Sequence, residues 1–180
     1  ISIIDELPKN RLPIKTEIIT PKTIKNAYSK IKKELSRGGQ CFIVYPLIEE
    51  SEKMDLEAAE SGYKKLKGIF SEFNLGYING KMKKDEIDKQ MNLMAKGDID
   101  CLISTTVIEV GINIPNATIM LIENAERFGM TQLHQLRGRI GRGTKQSTCI
   151  MVQHKKTVNS NKRLKIMENT LDGFIISDED

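Results

Sequence analysis

Four short, almost wholly apolar runs punctuate this sequence: CFIVY at 41–45, CLIST at 101–105, TIMLI at 118–122 and STCIMV at 147–152. They have strand length rather than helix length and carry no charge. A strand apolar at nearly every position leaves no face for water, so it belongs in a parallel sheet covered on both sides. The stretches between them have the other period. Ile24, Tyr28, Ile31 and Leu35 fall on one helix face, as do Ala59, Tyr63, Leu66, Phe70 and Phe73, and then Ile87, Met91 and Met94. Thr20 and Pro21 read as a helix start, and Gly38-Gly39 and Gly97 as stops. ISII, IKTEIIT and LGYING read as further strand segments, a helix is expected near Thr131, and RLKIME belongs to a last helix. Strands alternating with helices predict one α/β domain, a parallel sheet with helices on both faces.

In such a sheet ligands sit beyond the carboxyl ends of the strands. That directs attention to PLIEES, NGKMK, TTVIEVGINIPNA and ENAERFG. The longest apolar run, CFIVYPLI, is too short to span a membrane. Cys41, Cys101 and Cys149 lie far apart among apolar residues, which reads as buried, reduced thiols in a cytoplasmic protein. Two histidines and no paired cysteines leave no metal-site spacing. The chain opens on Ile1 rather than Met, as expected of a piece of something longer.

Charge is distributed unevenly. Between Arg127 and Met167 there are ten Lys and Arg and no acid, within a chain of net charge +4. A basic block of that kind points to a polyanion, either nucleic acid or nucleotide phosphates. At its centre lies QLRGRIGRG, residues 135–143. Continued as a helix, this stretch puts Gln135, Arg139 and Arg142 on one face, turns Arg137 elsewhere and uses Gly143 as the stop. Gly138 and Gly141 leave room for another surface to approach. Guanidinium groups bind phosphate oxygens bidentately. Yet no G-x-x-x-x-G-K-[ST] cradle occurs, and Asp85, Glu86 and Asp88 read as solvated charge rather than magnesium ligands. The domain is therefore expected to complete a phosphate site whose other half lies elsewhere, and not to hydrolyse a nucleotide alone.

QLRGRIGR matches the Q-x-x-G-R-x-G-R motif of superfamily 2 helicases, and STTVIEVGINIPNA and QCFIVYPLIEES resemble two more of their motifs. IDELPKNRLPIKT, PLIEESEKMDLEAAE, ENAERFGMTQLHQLRGRIGRG and RLKIMENTLDGF extend the likeness over nearly the whole chain to the RecG family of bacterial ATP-dependent DNA helicases. The resemblance implies a RecA-like lobe, the second of a two-lobed motor, over residues 1–153. A C-terminal helix and tail at 154–180 would lead toward a translocation segment. ATP with Mg2+ would be bound mainly by the first lobe, and an upstream wedge domain would grip branched DNA at replication forks and Holliday junctions. The whole is expected to be a monomer.

By position, the resemblance makes Arg142 the arginine finger on the γ-phosphate, Arg139 its partner and Gln135 their organiser. Gly111, Glu109 and Asn113 fall near the nucleotide, although the family usually has Asp where this chain has Asn113. Thr105 or Thr106, Gly80, Lys81 and Arg127 fall to the nucleic acid. Two alternatives stand beside this reading: the motor lobe of the transcription-repair coupling factor, and a non-catalytic nucleic-acid-binding domain.

Overall fold

The computed structural model describes residues 12–105 and 114–170. Its order is β1 (Lys15–Ile19), α1 (Ile24–Ser36), β2 (Gln40–Tyr45), α2 (Glu52–Ile69), β3 (Leu75–Ile78), α3 (Lys84–Lys96), β4 (Cys101–Thr105), β5 (Ala117–Ile122), α4 (Met130–Arg137), β6 (Thr148–Val152) and α5 (Val158–Asn169). Short 3-10 turns precede α1, α2 and α4, at Pro21–Thr23, Glu49–Ser51 and Ala125–Arg127. The six strands form one sheet in the order β1-β6-β5-β2-β4-β3, every pair parallel. The expected RecA-like arrangement of a covered parallel sheet is what forms.

Period-two alternation sorts the apolar runs into two layers. Phe42, Val44, Leu102, Met120, Ile122 and Met151 join a core with Met91 and Met94 of α3, Leu133 and Leu136 of α4, and Leu164 and Met167 of α5. Cys41, Ile43, Cys101, Ile103, Ile119, Leu121, Ile150 and Val152 face the other way, onto Ile31 and Leu35 of α1 and Leu66 of α2. Each large side chain so buried contributes about 1.5–3 kcal/mol. The three cysteines are free and buried.

Boundaries differ in small ways from the sequence reading. Thr20 and Pro21 open a 3-10 turn, and the α-helix begins only at Ile24. Helix α2 ends at Ile69, so Phe70 caps it and Phe73 lies beyond it, although Phe70 is still fully buried. Gly97 ends α3 in the left-handed conformation, as expected. ISII lies outside the described residues.

Because all six strands run the same way, the sheet has an amino end and a carboxyl end. Helix α4 begins after the carboxyl end of β5, and the chain after α4 enters the amino end of β6. The two halves of the functional reading therefore fall at opposite ends of the strands.

Candidate nucleotide and nucleic-acid site

The arginine stretch does not continue as a helix. Helix α4 stops at Arg137. Gly138 donates its N–H to the His134 carbonyl, Arg139 to Leu136 and Ile140 to Arg137, which tightens the chain into a turn. Ile140 is fully buried and pins that turn to the core. Gly141 then takes φ +74°, a conformation that costs glycine little and other residues more. Arg142 folds back so that its Nε donates to the Gly138 carbonyl at 3.0 Å. Gln135 thus sits on the last turn of α4 and Arg139 and Arg142 in the turn that follows, not on a shared helix face. Two glycines within four residues are poor helix formers, and burying Ile140 decides where the chain bends.

Gly143 is not a helix stop either. A Cβ there would meet the Pro115 carbonyl oxygen at 2.9 Å, so the missing side chain allows the turn to lie against the backbone just before β5. At Gly138 a Cβ would meet only the His134 and Gln135 carbonyls of its own helix.

The three arginines of the stretch divide sharply. Arg137 is 1% exposed. Its Nη1 donates to Thr16 Oγ1 of β1 at 3.1 Å and to the Met167 carbonyl of α5 at 2.7 Å, so it is an internal strut joining three elements. Arg139 is half-buried and Arg142 exposed. Among the described residues no carboxylate pairs with Arg142. Gln135 is exposed on the last turn of α4.

At the carboxyl end, the segments after β2 and β3 meet the last residue of β4. Gly80 donates its N–H to Thr105 Oγ1 at 3.0 Å, and Thr105 is 5% exposed. Leu47 packs over Gly80. The Lys81 ammonium pairs with Glu52 at 3.0 Å. Thr105, Gly80 and Lys81 are therefore brought together. Thr106, Glu109, Gly111 and Asn113 lie outside the described residues.

Arg127 is clamped within the domain. Its guanidinium is held bidentately by Asp55, at 2.9 and 3.0 Å, and donates to Ser51 Oγ at 2.9 Å. This clamp ties the start of α2 to the segment before α4. Nothing in the spacing of Asp55 announces it, because the two residues lie 72 apart in sequence. Burial pushes the Asp55 carboxyl up. The Arg127 guanidinium, the Ile48 N–H and the Ser51 hydroxyl outweigh that and hold it below the usual carboxylate range. A depressed folded value contributes stability above the unfolded value, about 3.9, and loses it as pH falls through the folded one. Asp55→Asn is expected to cost about 1–3 kcal/mol in denaturant unfolding at pH 7. The gap to the parent should close in acid. The clamp gives Arg127 a bracing role within the domain.

Residues 24–144 match the helicase conserved C-terminal domain. The chain belongs to that helicase family. Within it, the whole chain is 47% identical to the ATP-dependent DNA helicase RecG of Synechocystis sp. and 44% identical to that of Bacillus subtilis. It covers 22% and 26% of those proteins, so it spans about a quarter of their length. A solved structure of RecG bound to a three-way DNA junction superposes with a TM-score of 0.83 at 40% identity, over 96% of this chain and 22% of that one. S. cerevisiae Dbp5 bound to RNA and ADP BeF3 shares the helicase-lobe fold, with a TM-score of 0.62 at 20% identity, over 91% of this chain and 41% of that one. Among the described residues no helix is long and apolar enough to cross a membrane.

Proposed function

We propose that this domain is the second motor lobe of an ATP-dependent translocase that moves along duplex DNA and remodels stalled forks and Holliday junctions. The observation that carries the reading is the turn after α4. A buried isoleucine and a left-handed glycine fix its backbone, and it presents Arg142 to solvent with no carboxylate beside it among the described residues. A guanidinium held out to solvent by a fixed turn suits a ligand outside the domain. A triphosphate bound to the neighbouring lobe has the matching charge.

When the lobes close, Arg142, accompanied by Arg139 and oriented through Gln135, would donate N–H groups to the γ-phosphate oxygens. Negative charge spread over those oxygens during transfer to water is what fixed guanidinium donors stabilise. Mg2+ would come with the nucleotide on the first lobe. The described residues contain no cluster of three His, Cys, Asp or Glu, and no step is assigned to a metal on this chain. At the carboxyl end, Thr105 accepts from Gly80, which leaves its hydroxyl hydrogen to donate to a backbone phosphate. Lys81 would exchange Glu52 for such a phosphate. Gly111, Glu109 and Asn113 keep their assignment near the nucleotide.

Similarity to the RecG helicases favours this reading over the motor of the coupling factor. A non-catalytic nucleic-acid-binding domain would account for the basic block but leaves the Arg142 turn without a task. The test is translocation by the full-length protein, read as ATP-dependent displacement of a third strand from duplex DNA and regression of a model fork. Salt-sensitive fork binding with neither hydrolysis nor movement would overturn the proposal.

A further inference from the structure

Half of the acid-free basic block has no part in the interactions above. Lys155, Lys156, Lys162, Arg163 and Lys165 lie in α5 and the loop leading into it. A cavity of about 430 Å³ opens between the first turns of α5 and the segment that starts α4. Arg127, Phe128, Asn159, Lys162, Arg163 and Ile166 line it.

Its charges do not cancel. Arg127 is offset by Asp55. The Glu126 carboxylate is taken up by the backbone N–H groups of His154 and Lys155, and Glu123 pairs with His154. Lys162 is exposed and has no acidic partner among the described residues. Arg163 donates from Nη2 to the Glu126 carbonyl at 2.9 Å and has no carboxylate partner among the described residues.

We propose that the cavity is a phosphate-binding site in which Lys162 and Arg163 take a backbone phosphate of duplex DNA. Two features select a backbone phosphate over a nucleotide. The cavity opens at the carboxyl end of the sheet with Thr105 and Lys81, while the Arg142 turn lies at the amino end. Phe128, the one ring lining it, is 3% exposed and offers no face to a base. The inference rests on the motor reading, because it assumes that the lobe tracks DNA.

The experiment measures forked-DNA affinity of the full-length protein over a range of salt concentrations. Lys162→Gln should weaken binding at low salt and flatten the slope of log affinity against log salt by about 0.9, the loss of one phosphate contact. Lys156→Gln makes the same charge change on a lysine outside the cavity lining, and should change the slope less. An unchanged slope for Lys162→Gln, or equal changes from both lysines, would overturn the site. So would a raised KM for ATP with the slope intact, which would move the ligand from DNA to nucleotide. Those outcomes leave the motor reading standing. If the parent protein fails to bind forks at all, both fall together.

Discussion

Arg142→Ala in the full-length protein lowers the DNA-stimulated kcat for ATP hydrolysis by about 10³–10⁵-fold, while the KM for ATP and the affinity for forked DNA stay within a few fold. The magnitude is that of an arginine finger on a transferring phosphoryl group. The pattern follows from where Arg142 sits. Among the described residues its guanidinium has one bond, from Nε to the Gly138 carbonyl, so truncation removes little from the fold. A hydrogen bond that strengthens mainly as charge develops on the phosphate acts on kcat rather than KM. Steady-state kinetics with saturating duplex DNA, together with a fork-binding titration, read both halves of the result. Normal turnover would remove Arg142 from the reaction.

Five residues earlier the expectation inverts. Arg137→Ala destabilises the domain by about 3–5 kcal/mol, the cost of emptying a large buried site, because the side chain is 1% exposed. The Met167 carbonyl and the Thr16 hydroxyl also lose a donor, and β1, α4 and α5 lose their common tie. The melting temperature should fall by about 10 °C in calorimetry. In the full-length protein, the molecules that remain folded should still hydrolyse ATP. A variant that stays as stable as the parent would show that Arg137 is not a strut.

That contrast marks how far the sequence could be read. Strands and layers were legible because apolar runs such as CFIVY and TIMLI admit one environment, a sheet covered on both faces. Helix faces such as Ile24, Tyr28, Ile31 and Leu35 were legible for the same reason. The arginine stretch was legible as a phosphate-seeking motif but not as a shape. Spacing alone put Arg139 and Arg142 on a helix face, whereas the burial of Ile140 and the left-handed Gly141 make a turn. Nor could spacing show that Arg137 goes inside, since its partners Thr16 and Met167 lie 121 and 30 residues away. The internal clamp on Arg127 was hidden the same way. Its position after a strand suggested an outward contact and gave no sign of Asp55 and Ser51, on a distant helix start, which hold it. Long-range pairing is set by how elements pack, and no local pattern encodes it.

Charge stabilisation across the cleft between the lobes can be read without turnover, using an analogue of the transferring phosphate. In the presence of duplex DNA, the full-length protein should bind ADP–aluminium fluoride much more tightly than ADP. Arg142→Ala should erase most of that difference while leaving the affinity for ADP alone unchanged. If the variant keeps the parent's preference for the analogue, the turn after α4 does not reach the phosphate, and the proposed role of this lobe in hydrolysis is wrong.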